Sequence, residues 1–171
     1  MQETKIKDFQ DQYKSLKGPF MRYATALLKD SALAEEIVHE AFLSAYSKWD
    51  TFQQKSKRST WLWSILRNAC LQHFRRSEFK YESVSEDSLE NTPSSDEGAE
   101  MKLIQMSKEA VVKEALGLLT PLQREVVELR MSGLSMEEMS EILNTPSSTV
   151  KSHLHRAKKH LIKTLQGETN E

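Results

Sequence analysis

Residues 134–160 read LSMEEMSEILNTPSSTVKSHLHRAKKH, a pattern for two helices with a short turn between them. Ser135, followed three residues later by Glu138, makes a capping box: the hydroxyl accepts from the Glu138 amide while the carboxylate reaches back to the Ser135 amide. Leu134 and Met139 take the two positions of the hydrophobic staple that fixes the entry of the chain into the helix. The first helix is expected to end near Leu143. Asn144-Thr145-Pro146 then turns the chain, with Thr145 as the expected cap of a second helix and Pro146 at its first position. At 100° per residue, Val150, Leu154, Ala157 and Leu161 fall on one stripe of that second helix, and Ser148, Lys151, Ser152, His155, Arg156 and Lys159 on the opposite face. From Thr145 to Leu165 there are five basic residues, three histidines and no acid. An apolar stripe opposed by a basic face suits the second member of a helix-turn-helix lying against DNA. Short polar residues approach base edges there, and Lys and Arg neutralise phosphates.

Such a pair needs a further helical unit to complete its core, and KEALGLLTPLQREVVELRMSG, residues 113–133, supplies one. Leu116 and Leu119 precede a Thr120-Pro121 helix start, and Val126, Val127 and Leu129 give the next helix its buried side. Arg130, just before the turn containing Gly133, is a candidate phosphate contact or an ordinary solvated arginine.

Further upstream the composition changes. Residues 81–109 hold 2 basic and 8 acidic residues, and their centre, YESVSEDSLENTPSSDEGAE, is rich in Ser, Glu, Asp, Asn, Pro and Gly with no apolar stripe. That composition predicts a flexible acidic linker, the alternative being a capped surface helix within one compact domain. The chain therefore divides into 1–80, 81–109 and 110–171. In the first segment, Ile6, Phe9, Tyr13 and Leu16 suggest a helix, Gly18-Pro19 a break, and Phe20 to Leu28 a second helix. Asp30 and Ser31 are candidate N-caps for LAEEIVHEAFLSAYSKW, where Leu33, Ile37, Ala41 and Ala45 recur every four residues. After the polar loop TFQQKSKRS, Ser59 or Thr60 opens a helix through TWLWSILRNACLQHFRR with Leu62, Ile65, Leu66 and Ala69 on its buried face. Four helices are thus expected before the linker. With five glycines, four prolines and no sustained period-two alternation, the fold class is all-α: two small helical domains joined by a linker.

The formal net charge of −1 hides this division. Residues 1–80 carry 14 basic and 9 acidic residues, the linker a net of −6, and residues 110–171 eight of each sign. Near-neutrality therefore does not exclude DNA as a partner. The single cysteine, Cys70, rules out an intrachain disulfide and a cysteine-based zinc site. No apolar run approaches a membrane span and the start lacks a signal peptide, so no membrane insertion is expected and the cytoplasm is the expected location.

Taken together, AEEIVHEAFLSAY, WLWSILRNACLQHFRR and LLTPLQREVVELRMSGLSMEEMSEILNTPSSTVKSHLHRAKKHL, in that order and split by a linker, resemble bacterial RNA polymerase sigma factors of the extracytoplasmic-function type. The resemblance implies a sigma-2-like first domain that docks on the clamp of core RNA polymerase and opens the minus-10 element. It implies a sigma-4-like second domain that reads the minus-35 element of promoter DNA, and an anti-sigma factor as a further partner. Glu36, His39, Glu40 and Leu43 lie at i, i+3, i+4 and i+7 and become the polymerase-binding stripe, with His39 where the family often has glutamine. Strand opening requires a stacking platform, a site for an extruded base and cations for the freed backbone. The resemblance assigns these roles to Lys55, Lys57, Arg58, Trp63, Arg67, Asn68, Arg75 and Arg76, with Lys80 extending the basic track and Trp61 kept within the fold. For the minus-35 element it implies Arg130, Ser147, Ser148, Thr149, Lys151, Ser152, His155, Arg156 and Lys159. Ser147-Ser148 stands where the family usually has a glutamate or valine and a glycine.

Two promoter elements two helical turns apart are separated by about 70 Å. About 24 flexible residues within the 29-residue segment 81–109 have a root-mean-square span of ~27 Å and a contour of ~80 Å. It reaches that distance without enforcing it, so the polymerase is expected to set the geometry. No catalytic residue, cofactor or metal site is expected. His153 and His155 diverge by about 200° around a helix that contains no acid or cysteine. The alternative function is a one-component helix-turn-helix regulator that binds an operator as a dimer.

Overall fold

The structure, a computed structural model, describes residues 2–81, 110, 112 and 114–167 of the chain. The expected linker therefore lies almost wholly outside the described residues. Helix α1 spans Gln2–Leu28, α2 Ser31–Ser47 and α3 Arg58–Tyr81, with a 3-10 turn at Trp49–Thr51. In the second half α4 spans Pro121–Met131, α5 Met136–Leu143 and α6 Ser147–Gly167. The fold is all-α, with two helical subdomains joined by a linker.

Three helices precede the linker rather than four, because α1 runs through Gly18-Pro19 without a break. Pro19 has no N–H to give to the Ser15 carbonyl, a local loss. Against it stands an apolar stripe that never changes phase. Phe9, Tyr13, Leu16, Phe20, Tyr23 and Leu27 follow at steps of three or four, and all belong to the core or pack on it. Breaking the helix at residue 18 would rotate one half of that stripe out of the core. Helix α2 starts where expected, with the Asp30 carboxylate accepting from the amides of Ala32 and Leu33 at 2.9 and 3.0 Å. An aromatic cluster joins the three helices: Phe20 stacks on Phe42 at 5.1 Å and meets Trp63 edge-on at 4.7 Å, and Phe9 meets Trp49 at 5.1 Å.

In the second half, Thr120 caps α4 in a reciprocal box with Gln123, Pro121 occupying the first turn. Gly133, at φ +87°, reverses the chain after α4, and the Leu134 amide donates back to the Leu129 carbonyl at 3.4 Å. Helix α5 then opens with the expected capping box: the Glu138 amide donates to Ser135 Oγ at 3.2 Å, and the Ser135 amide to the Glu138 carboxylate at 2.8 Å. Leu134 and Met139 are both buried, as a staple requires. Asn144, left-handed at φ 48°, closes α5. Thr145 departs from its expected role. Its hydroxyl donates to the Leu143 carbonyl at 3.1 Å, and α6 begins at Ser147, its first bonds running from Thr149 and Val150 to the Pro146 carbonyl. The tight turn needs that hydroxyl to satisfy an α5 carbonyl, so Pro146 supplies the first acceptor of α6 instead.

The two halves pack against each other. One continuous apolar core holds Leu16, Phe20, Tyr23, Trp63 and Leu66 from the first half together with Val126, Leu129, Leu134, Met139, Ile142 and Val150 from the second. Helix α1 lies against α4, and α3 against α5.

Candidate nucleic-acid interface

On α6, Val150 and Ala157 are buried and Leu154 and Leu161 pack on the core. The opposite face is open: Ser147, Ser148, Lys151, Ser152, His155, Arg156 and Lys159 are all exposed. Thr149 is half-buried at the flank. The Ser152 hydroxyl donates to the Ser148 carbonyl at 3.0 Å, tethering one polar group along the helix. Because α5 and α6 share the core through Met139, Ile142 and Val150, the face is held at a fixed angle by side chains that take no part in it. Arg130 has a structural duty: its guanidinium donates to the Leu134 carbonyl at 2.8 Å across the α4–α5 turn. The residue as a whole is exposed.

On α2, Glu36, His39, Glu40 and Leu43 are exposed and form the expected outward stripe, with Leu43 58% exposed. An exposed leucine among acids is a suitable contact for a basic partner helix with an apolar seam.

The residues assigned to strand opening divide into three groups. Lys55, Asn68, Arg75 and Arg76 are exposed on the loop before α3 and along it. Arg58 pairs with Asp8 at 3.1 Å and lies 4.4 Å from the Trp49 ring centre, so it anchors the start of α3 to the fold. Trp63 is 2% exposed, edge-on to Phe20 and Tyr23, and no base can stack on it in this arrangement. Trp61, kept within the fold by the sequence reading, is half-buried beside Phe52 at 5.1 Å. The buried stripe of α3 is Leu62, Trp63, Leu66 and Cys70, with Ile65 and Ala69 half-buried. That spacing satisfies helical periodicity as well as the expected one does, so period alone does not choose between them.

Lys57 and Arg67 are bound by acids of the other half. Lys57 Nζ donates to Glu138 Oε1 at 2.9 Å. Arg67 Nε donates to Glu125 Oε1 at 2.5 Å, and the Tyr23 hydroxyl donates to the same oxygen at 2.6 Å. Glu125 is 7% exposed, an acid taken out of water and compensated by two donors. Burial and the adjacent Glu125 charge push the Tyr23 phenol well above its ordinary pKa, keeping it a donor. Burial acts to lower the Arg67 pKa, but the Glu125 hydrogen bond and charge outweigh it. Glu125 carried no signal in the sequence, where it reads as one more acid on an amphipathic helix.

Among the described residues no cluster of His, Cys, Asp and Glu is able to hold a metal, and no helix is long and apolar enough to cross a membrane.

Comparison with known proteins agrees with this geometry. The family model Sigma-70 region 2 matches residues 12–79, and Sigma-70, region 4 matches residues 110–161. The chain is 31% identical over 148 residues to the ECF RNA polymerase sigma factor SigW of Bacillus subtilis, covering 78% of this chain and 75% of that one. It is 29% identical over 153 residues to the RNA polymerase sigma-E factor of Streptomyces coelicolor, covering 89% and 82%. Among solved structures, the sigma factor RpoE of Bartonella quintana, in complex with the anti-sigma factor NepR, superposes with a TM-score of 0.70 at 27% identity, covering 94% of this chain and 98% of that one. CnrH, in complex with the cytosolic domain of CnrY, shares the fold with a TM-score of 0.65 at 18% identity. The chain belongs to the extracytoplasmic-function sigma factors of the sigma-70 family, which bind core RNA polymerase and direct promoter recognition.

Proposed function

We propose that the two halves divide promoter recognition between them. Residues 1–80 dock on core polymerase through Glu36, His39, Glu40 and Leu43 and open the minus-10 element. Residues 110–171 read the minus-35 element, with the acidic segment 81–109 spanning between them. The observation that carries this reading is the exposed basic face of α6, set opposite a buried stripe in a helix-turn-helix whose first helix, α5, is capped at both ends. Lys151, Arg156 and Lys159 contact phosphates, and Ser148, Ser152 and His155 approach base edges. In the strand-opening set, Lys55, Lys57, Arg67, Asn68, Arg75 and Arg76 line the path of the separated strand. Trp63 supports that surface from below rather than stacking on a base. An anti-sigma factor controls the chain, as the complex formed by the similar Bartonella quintana factor suggests.

Reconstitution tests this. Added to bacterial core polymerase and genomic fragments, the protein should yield transcripts with defined start sites; no binding to core enzyme would refute the reading. Lys151→Ala and Arg156→Ala should each weaken minus-35 binding and lower the slope of its salt dependence by about one, while core binding stays intact.

A further inference from the structure

Ser64, Ser152 and Thr164 each donate to the carbonyl four residues earlier, the ordinary outlet for a hydroxyl on a helix. Ser140 on α5 does the opposite. Its Oγ donates forward, at 2.7 Å, to the carbonyl of Thr145, beyond the end of its own helix and just ahead of Pro146 and the start of α6. Resting on the reading of α6 as the minus-35 helix, we propose that Ser140 is a positioning residue for promoter recognition: its hydroxyl fixes the course on which α6 leaves the turn, and with it the register of Ser148, Lys151, Ser152 and His155 against the base edges.

One residue holds Thr145 from both sides. The Thr145 amide donates to the Ser140 carbonyl at 3.0 Å and the Asn144 amide to the Glu141 carbonyl at 3.2 Å, the two backbone bonds of a helix end closed by a left-handed residue, here Asn144. Those bonds fix the amide side of Thr145. The Ser140 hydroxyl fixes the carbonyl side, and so the plane of the peptide that enters Pro146. Little freedom is left beyond that plane. The Pro146 ring locks its own φ at about −65°, and its carbonyl accepts from Thr149 and Val150 at 2.9 and 3.0 Å as α6 begins. The direction of α5 is thereby relayed into that of α6. Core packing does not achieve this by itself, because apolar burial is non-directional. Val150 and Ala157 are short side chains that choose the buried face of α6 without fixing its slide along its axis. The lever is long: from Pro146 to His155 is about 14 Å at about 1.5 Å per residue, so a tilt of about 10° moves His155 by about 2 Å. Hydrogen bonds to a base edge tolerate only a fraction of that.

Holoenzyme reconstituted from the full chain and bacterial core polymerase supplies the test, with one promoter recovered from genomic fragments and duplexes carrying single base-pair changes in its upstream element. Wild type should lose about five- to 150-fold in affinity per changed base pair. Ser140→Ala keeps a residue that favours helix at least as well as serine, so core binding and helical circular dichroism should stay. It should bind the original duplex about tenfold more weakly and cut the penalty for each change to about threefold or less. A bond that served stability alone would weaken every duplex by one factor and leave those penalties as they were; that result would overturn the proposal. Ser140→Thr returns an Oγ donor and should return the penalties with it. A Ser140→Thr protein no more selective than Ser140→Ala would overturn the proposal equally. A wild type indifferent to every change in the upstream element refutes instead the division of promoter reading on which the positioning rests, which separates the two failures.

Discussion

Ser135 and Glu138 offer a direct test of how the helix-turn-helix is held. Helix α5 has eight residues, too few for a helix to persist on its own, so its start depends on the capping box and its end on the core. Ser135→Ala removes the acceptor of the Glu138 amide, a change of about 1 kcal/mol for an N-cap, or roughly 2–4 °C in Tm for a chain of this size. Glu138→Gln keeps an oxygen for the Ser135 amide but removes the negative charge from the first turn, worth about 0.3–1 kcal/mol. The Ser135 backbone N–H, and after it the Lys57 ammonium, holds the Glu138 carboxyl below its ordinary value of 4.5. A folded-state pKa below the unfolded one gives stability that is full above about pH 4.5 and lost as pH falls through the folded value. Urea unfolding followed by far-UV circular dichroism from pH 7 to pH 3 should therefore show the wild type above Glu138→Gln at neutral pH and the two converging in acid. Lys57 is 74% exposed, so its part should fade in high salt while the backbone part remains. A gap between wild type and Glu138→Gln that is unchanged between pH 7 and pH 3 would refute the reasoning.

Other positions make equally definite predictions. Trp63→Ala should cost about 3–5 kcal/mol in a urea melt and Trp61→Ala several-fold less, since only Trp63 is fully enclosed; equal losses would contradict the packing. Pro19→Ala should stabilise the chain by roughly 1–2 kcal/mol, the restored hydrogen bond being partly offset by a freer unfolded state. Destabilisation there would mean that Phe20 needs the proline to reach Phe42. Cys70, 0% exposed and with its thiol pushed up to about 12 by burial and by Glu125, should resist alkylation at pH 8 and react only on denaturation. Rapid labelling of the native protein would show that α3 opens locally.

What the sequence disclosed and what it withheld follow from the range of each interaction. Ser135 and Glu138 meet within three residues, so their spacing alone announced the start of α5, and the Thr120-Pro121 start and the Asp30 cap were legible from the residue types, whereas the Thr120–Gln123 box emerged only in the structure. The basic face of α6 was legible because one helix carries both the stripe and its opposite. Gly18-Pro19 misled because a local propensity was weighed against a stripe whose partner, Phe42, lies 22 residues from Phe20 along the chain. Trp61 and Trp63 are separated only by which tryptophan meets Phe20 and Tyr23, a fact of helix packing rather than of period. The Tyr23–Glu125 bond joins residues 102 positions apart, across a charge run that gave no hint of it.

The separation of duties on α6 has a consequence for how such a protein diversifies. Val150 and Ala157 set the helix in the fold, and Ser148, Lys151, Ser152, His155 and Arg156 share no atom with that task. Exposed substitutions of this kind usually change stability by no more than about 0.5 kcal/mol. The proposed reading face can therefore be rewritten one side chain at a time, each intermediate still folding. Duplicated copies of such a chain are free to drift toward new promoters without passing through an unfolded ancestor.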